Sequence, residues 1–239
     1  MKLGLVGSEM CIRDRVNIVA EQFRIASGES IADLKITDHG YSIEARVTAE
    51  RLVVRAGGEV IFRPHPGQIE ECIFPEEEGV EIIAAVGPGK FVSPYYDSMV
   101  AQLVVHAESR DAAADKLIDY LGRVVITGIC TNIPLLRMIL ADEVFRKGIY
   151  DTNYLPEMLQ RIDIKALINE IESDSGGKGE SIDSNAVRID GSDELKVLAP
   201  ATAVFYSAPS PSEPEYVAVG QKISVTETLC QLEAMKVFN

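Results

Sequence analysis

The sequence MVAQLVV at residues 99–105, together with the segment that follows it, decides the fold class. A short, mostly apolar run of this length is typical of a strand. Soon afterwards Ser109 stands where a helix N-cap belongs, ahead of the apolar positions Leu117 and Leu121. The helical pattern ends near Gly122. This part of the chain therefore predicts a strand followed directly by a helix.

Other strands are predicted before this stretch. Residues 41–47 alternate between polar and apolar side chains, as a half-buried strand does. Apolar runs predict further strands at 60–62, 69–74 and 79–86, with a turn at 64–67.

One helix is predicted at 16–26, and two more are predicted after the helix that ends near Gly122. One opens with Asn132 as its cap and Pro134 in its first turn, and another covers residues 156–171. Because strands and helices do not alternate regularly, the pattern favours an α+β domain over a doubly wound sheet.

The last part of the chain has a different character. Residues 172–194 turn to Ser, Asp, Gly and Lys, a composition that predicts a flexible linker. Beyond it, Pro, Gly and Ser separate short strand-like runs, which predicts an all-β module. These runs lie at 198–200, 203–206, 216–219 and 223–225.

Composition excludes several classes of function. A hydrophobic content of 46% with 25% charged residues is ordinary for a globular protein. The net charge of −14 argues against a nucleic-acid partner, since phosphate binding needs clustered Lys and Arg. Cys11, Cys72, Cys130 and Cys230 lie too far apart for a zinc or redox motif, which favours a reducing cytoplasm. No apolar run is long enough for a membrane helix, so no membrane partner is expected.

The most specific motif is Glu233-Ala234-Met235-Lys236, at the end of a predicted strand. An isolated Met-Lys pair is commonly a solvated surface feature, and that interpretation stands beside a functional one. The motif resembles the biotin attachment hairpin of biotin carboxyl carrier domains. The resemblance implies that the Lys236 amine forms an amide with biotin, which then acts as a swinging arm. It also implies biotin protein ligase as a partner.

Two further features favour biotin. Residues 205–216 resemble the "thumb" insertion of the acetyl-CoA carboxylase type of carrier. Lipoyl domains share the fold but place Asp before the modified lysine and lack a thumb, so Met235 favours biotin over lipoate. The resemblance therefore implies that residues 196–239 are the N-terminal half of an all-β biotinyl barrel-sandwich domain.

A second resemblance covers residues 16 to about 159. Five short sequence segments are similar, in this order, to the C-terminal part of biotin carboxylase. They are GYSIEAR at 40–46, FRPHPGQI at 62–69, PYYDSM at 94–99, GICTNIPL at 128–135 and YDTNYL at 150–155. The resemblance implies an ATP-grasp ligase that uses ATP, Mg²⁺ and bicarbonate to carboxylate biotin, with the carboxylase domain forming a homo-oligomer. The family's ATP-binding parts are expected before Val16.

Three positions depart from that family. Glu81 stands directly after Gly79-Val80, where the family has an Arg that stabilises negative charge on the biotin ureido oxygen. A carboxylate there would repel this charge. Gln102 stands where the family usually has Lys, and Tyr41 where it often has His. Because of these departures, no catalytic residue is assigned in the predicted carboxylase domain.

The remaining polar candidates have ordinary alternatives. Residues 95–97, Tyr-Tyr-Asp, are candidates for catalysis, but packing for the tyrosines and a turn for the Asp are preferred. His39, His65 and His106 show no metal-ligand spacing, so surface or structural roles are expected, and no metal site is predicted.

The combined expectation is a fragment of the biotin carboxylase and carrier subunit of an acetyl-CoA or acyl-CoA carboxylase, which serves fatty acid biosynthesis. It consists of the carboxylase C-terminal domain (16–160), a helix and linker (161–195) and the carrier half (196–239). Carboxybiotin would pass to a separate carboxyltransferase subunit. The alternative is a non-catalytic biotin carrier or assembly module. Residues 1–15 resemble a translated sequencing adapter, so the chain is expected to be truncated at both ends and inactive alone.

Overall fold

The fold centres on a three-stranded antiparallel sheet in a computed structural model of the chain. The structure describes residues 16–34, 39–54, 58–176, 187–189, 195–197, 199, 203–210, 212–224, 227–234 and 237–238. The sheet has the order β1-β8-β6, formed by β1 (Tyr41–Thr48), β8 (Met99–Ala107) and β6 (Val80–Ala84). The strand expected at 99–105 is therefore confirmed and continues to Ala107.

Short strand pairs and helices surround this sheet. The pairs are β2 (Glu50–Val54) with β3 (Val60–Pro64), β4 (Gly67–Gln68) with β7 (Phe91–Val92), and β5 (Cys72–Ile73) with β9 (Val125–Ile126). The helices are α1 (Ile18–Ala26), α2 (Arg110–Leu121), α3 (Ile133–Ala141), α4 (Glu143–Lys147), α5 (Tyr154–Arg161) and α6 (Ile164–Asp174). Strands followed by helices without regular alternation make this an α+β domain, as expected.

The main core lies between one face of the sheet and α2. Alternate residues of β1 and β8 point to the same face, and those on the core face are buried. Ser109 caps α2 by accepting a hydrogen bond from the Ala112 N–H, which confirms the predicted cap. The buried side chains of this layer include Ile43, Ala45, Val47, Leu103, Val105, Ala113, Leu117 and Tyr120.

A smaller core lies beneath α6. Its buried members are Leu52, Cys130, Leu135, Leu167 and Ile171. The prediction of a single helix at 156–171 is wrong, because the helix is interrupted between α5 and α6. Asp163 caps α6 there, its carboxylate accepting hydrogen bonds from the N–H groups of Lys165 and Ala166.

The C-terminal part forms two small antiparallel sheets. One pairs β10 (Val187–Ile189) with β11 (Leu195–Val197), so a strand lies within the segment expected to be a linker. The other has the order β12-β13-β14, from β12 (Val204–Tyr206), β13 (Gln231–Ala234) and β14 (Val237–Phe238).

Two predicted strands of this part are wrong. Residues 216–219 and 223–224 are not extended strands, and residue 225 lies outside the described residues. The Tyr216 N–H donates to the Ser207 carbonyl, the Gln221 N–H to the Ala218 carbonyl and the Ser224 N–H to the Glu227 side chain, so these backbone groups are satisfied without a strand ladder. None of the helices in the described parts of the chain has the length and apolar character needed to span a membrane.

Candidate functional site

The first candidate site is the face of the central sheet that lies opposite α2. The pairing register places Ser42, Glu44 and Arg46 of β1 on this face. Gln102 and His106 of β8 and Glu81 of β6 share it, because residues directly opposite in a sheet point the same way. These six residues are called the polar face. Its members come from three separate segments of the chain, which the sheet brings together.

A row of two carboxylates crosses the polar face. Val104 pairs with Glu44 on one side and with Glu81 on the other. Because neighbouring strands lie about 4.8 Å apart, the Cα atoms of the two glutamates are about 10 Å apart. Val104 itself is buried beneath them, whereas Glu81 is exposed. The structure thus places Glu81 on the surface expected to contact a ligand, with a second negative charge in the same row.

The neighbouring row contains Arg46 and Gln102, which pair across β1 and β8. Gln102 Nε2 donates to Glu44 Oε1 at 2.9 Å and so fixes that carboxylate. Arg46 Nη2 lies 3.6 Å from Met99 Sδ, a weak acceptor. Among the described residues no carboxylate lies within salt-bridge distance of Arg46. Its guanidinium is therefore a cation available to an anionic ligand at the edge of the polar face.

Asn132 holds β1 where this strand changes register. The Thr48 N–H donates to Asn132 Oδ1 at 2.9 Å, and Asn132 Nδ2 donates to the Arg46 carbonyl at 3.0 Å. The register shift lies between Val47 and Thr48. The amide thus acts like one residue of a neighbouring strand and stabilises a bulge, a feature that re-aims side chains beside functional sites.

This contact corrects one expectation about Asn132. It does occupy the N-cap position of α3, with Pro134 in the first turn, but its side chain makes no capping hydrogen bond. A capping side chain accepts from the N–H of the second or third helical residue. Pro134 is the second helical residue and has no N–H, so one of the two usual donors is missing, and the Asn132 amide binds β1 instead.

The loop after β7 exposes two aromatic rings. Tyr95 is 68% exposed and Tyr96 is 74% exposed, so the preferred packing role for these tyrosines is wrong. Asp97 Oδ1 accepts a hydrogen bond from the Met99 N–H at 2.9 Å, which is an Asx-turn and confirms the turn role. The exposed rings remain candidates for contact with a ligand.

His65 has the structural role expected of it. Its Nδ1 accepts a hydrogen bond from the Cys130 N–H at 3.0 Å, and burial, with a contribution from the Arg51 charge, lowers the pKa of His65. This bond joins the end of β3 to the loop before α3. In the described parts of the chain no three His, Cys, Asp or Glu side chains converge on a possible metal position.

The second candidate site is the hairpin of β13 and β14. Ala234 pairs with Val237 and Glu233 with Phe238, in an antiparallel register. Only Met235 and Lys236 separate Ala234 from Val237 in the chain, and both lie outside the described residues. Antiparallel strands are commonly joined by two-residue loops. The pairing of the described residues thus agrees with the expectation that the Glu233–Lys236 motif lies at a short connection between β13 and β14.

Glu233, the first residue of the motif, has a specific partner. Tyr206 of β12 donates its hydroxyl to Glu233 Oε2 at 2.6 Å. Sequence reasoning did not foresee this bond, nor those of Asn132 and Gln102. Alternation at 41–47 indicated that Glu44 and Arg46 share a face, but their partners lie more than 50 residues away and depend on strand order.

Comparisons with known proteins agree with this fold. The family described as "Biotin carboxylase C-terminal domain" matches residues 44–157. A biotin carboxylase of Haemophilus influenzae is 36% identical over 148 residues, which cover 60% of this chain and 31% of that protein. The 2-oxoglutarate carboxylase small subunit of Hydrogenobacter thermophilus is 39% identical over 144 residues, covering 59% of this chain and 29% of that one.

A solved structure gives the same result. The structure is that of the biotin carboxylase domain dimer of the Hydrogenobacter thermophilus 2-oxoglutarate carboxylase, in complex with MgADP, ADP and bicarbonate. It matches with a TM-score of 0.55 and 37% identity, covering 64% of this chain and 33% of that one. The chain thus spans less than a third of the length of the two curated relatives, 31% and 29%.

Proposed function

Because residues 44–157 are a biotin carboxylase C-terminal domain, we propose that the chain serves the carboxylation of biotin and also carries the biotin acceptor, Lys236. The observation that supports the acceptor is the register of β13 and β14, which leaves only Met235 and Lys236 between paired residues. The family is one of ATP-dependent carboxylases, so the class of enzyme is a ligase. The fused carrier half, at residues 196–239, is part of this proposal.

The cofactors follow from this assignment. Biotin bound to Lys236 would supply a ureido nitrogen that accepts a carboxyl group, and ATP, Mg²⁺ and bicarbonate would drive that transfer. The hairpin fits biotin, since a lysine amine is the group that forms the amide. No three metal-ligating side chains converge in the described residues, so we derive no step through Mg²⁺. The residues of the polar face would contact the small reactants.

The partners are proposed on the same basis. A biotin protein ligase would load Lys236, and a carboxyltransferase subunit would receive carboxybiotin and pass the carboxyl group to acetyl-CoA or another acyl-CoA. The Hydrogenobacter structure is described as a domain dimer, which supports a homo-oligomer of this domain. We place the protein in the cytoplasm and infer no nucleic-acid or membrane partner.

The acceptor is tested by peptide mass spectrometry. The chain is expressed with a biotin protein ligase and free biotin, and the fragment that contains Lys236 is examined for a biotinyl amide. We expect only weak labelling of this fragment in the unchanged chain and none in Lys236→Arg, while Lys222→Arg, which changes an exposed lysine of the same region, keeps the weak label. Failure to detect any label, in cells that biotinylate a known carrier, refutes the acceptor.

One observation favours the alternative, a non-catalytic carrier or assembly module. The polar face carries Glu44 and Glu81 in one row, and this pair does not suit an anionic ureido oxygen. A chimera tests this: residues 44–157 replace the matching segment of the Hydrogenobacter small subunit, and bicarbonate-dependent ATP turnover is measured. We expect Glu81→Arg to raise turnover; equal or lower turnover contradicts a role of position 81 at the ureido oxygen and removes this argument for the alternative.

A further inference from the structure

Two tyrosine hydroxyls bind one face of β13, the strand that precedes Lys236. Tyr206 donates to Glu233 Oε2 at 2.6 Å, and Tyr216 donates to Gln231 Oε1 at 3.2 Å. Residues 231 and 233 are two apart on a strand, so their side chains point to the same face. The two contacts together are called the tyrosine clamp.

The clamp sits at the two ends of one insertion, residues 207–215. Tyr206 directly precedes this segment and Tyr216 directly follows it. The segment is closed at its base, because the Tyr216 N–H donates to the Ser207 carbonyl at 2.8 Å. A second bond across the base runs from Ser207 Oγ to Glu215 Oε1 at 3.3 Å. The clamp therefore ties both ends of a closed loop to the acceptor strand.

Apolar packing contributes little to the register of these strands. In the described part of residues 203–233 no side chain is buried, and Phe205 of β12 is 64% exposed. Register is weakly specified where a strand has no buried face. The β12–β13 ladder covers only the pairs from Val204–Glu233 to Tyr206–Gln231. Side-chain hydrogen bonds thus have an unusually large share in keeping β13 aligned.

From this arrangement we propose that Tyr206 and Tyr216 are positioning residues for biotin attachment: they hold β13 and the insertion as one unit, so that β13, which ends two residues before Lys236, keeps a fixed register for the biotin-attaching enzyme. The inference rests on the proposed acceptor role of Lys236. In that reaction the lysine amine attacks the acyl carbon of a biotinyl adenylate. The C–N bond forms, the acyl–oxygen bond to the adenylate breaks, AMP leaves and the amine proton passes to solvent.

The kinetics of attachment test the clamp. Initial rates are measured with purified biotin protein ligase, biotin and ATP at a series of concentrations of the chain. Tyr206→Phe lowers the fraction of chains in the competent register, and apparent affinity falls by that fraction. We expect KM for the chain to rise about 3- to 10-fold, the range of one ordinary hydrogen bond at an exposed site, while kcat stays unchanged. Tyr41→Phe, an exposed tyrosine on β1, is the matched control and keeps both constants.

A double-variant cycle separates a clamp from a general effect of the substitution. Glu233→Ala removes the carboxylate that accepts from Tyr206, so adding Tyr206→Phe should raise KM much less in that background than in the unchanged chain. Glu233→Gln keeps an acceptor oxygen, so Tyr206→Phe should still raise KM there. The clamp is refuted if Tyr206→Phe matches the unchanged chain, or if it raises KM equally in the Glu233→Ala background.

A spectroscopic titration distinguishes failure of the clamp from failure of the acceptor role. The hydrogen bond to Glu233 raises the pKa of Tyr206 above its ordinary value. Tyrosinate absorbance should therefore show one tyrosine whose pKa falls towards about 10 in Glu233→Ala. An unlabelled Lys236 with this shift present refutes only the proposed function. An unchanged titration in Glu233→Ala overturns the clamp, whatever the labelling shows.

Discussion

The domain at residues 39–176 and the hairpins at residues 203–238 keep their shape by different means. The first buries two apolar clusters, one between the sheet and α2 and one under α6. In the second, none of the side chains whose burial is described is buried, and hydrogen bonds between side chains, such as Tyr206–Glu233 and Gln221–Glu227, join its segments. Burial is worth far more per residue than an exposed polar contact. The same kind of substitution should therefore change the free energy of unfolding by different amounts in the two regions.

Truncating one apolar side chain in each region makes the largest contrast. Leu103 of β8 is fully buried, so Leu103→Ala should lower the free energy of unfolding by about 3 to 5 kcal/mol. Leu232 of β13 is only half-buried, and Leu232→Ala should change the same transition by less than about 1 kcal/mol. Urea unfolding followed by helical circular dichroism measures this, since all the described helices lie before residue 176. A comparable loss for Leu232→Ala would mean that the two regions share a core.

The next contrast is between two asparagines at helix starts. Asn132→Ala removes the bonds to the Thr48 N–H and the Arg46 carbonyl, and the first of these is part-buried. We expect a loss of about 1.5 to 3 kcal/mol in the same urea transition. Asn153 caps α5 without a side-chain capping bond, so Asn153→Ala should stay within about 0.5 kcal/mol. Equal losses would indicate that Asn132 acts through helix propensity and not through β1.

These two residues also show how far the sequence could predict the structure. The α+β class, the strand at 99–105 and the Ser109 cap follow from local patterns of polar and apolar residues, which act over one element. The Asn132 contact joins positions 84 and 86 residues apart, and the carboxylate row needs the strand order β1-β8-β6. No local pattern carries such information. Strands at 216–219 and 223–224 were mispredicted because β-propensity does not supply a ladder partner.

The pH dependence of stability tests one contact of the first region, the hydrogen bond between the Cys130 N–H and His65. Burial lowers the pKa of His65, so the folded state favours the neutral imidazole and the unfolded chain binds the proton more readily. The contribution of the neutral His65 side chain to the free energy of unfolding is fully present above about pH 6.5 and decreases as the pH falls through that value. His65→Asn keeps an acceptor for the Cys130 N–H but does not titrate.

The measurement is the difference in unfolding free energy between the unchanged chain and His65→Asn. This difference should shift by less than about 1 kcal/mol, since the imidazole is only partly buried, as the pH is lowered from about 7.5 to about 5.5. The shift should disfavour the unchanged chain. A constant difference would mean that folding does not lower the pKa of His65, and one of the opposite sign would mean that folding raises it.

The smallest expected change in stability belongs to Glu81→Arg. The side chain is exposed in the middle of β6, and surface substitutions away from special contacts stay within about 0.5 kcal/mol. An arginine would face Glu44 across Val104, so any change should be slightly stabilising and should vanish at high salt. A change in turnover of the chimera without a change in stability would assign position 81 to ligand contact. A loss of stability as large as that of Leu103→Ala would instead show that this carboxylate belongs to the structural part of the domain, and that the polar face is not an open surface.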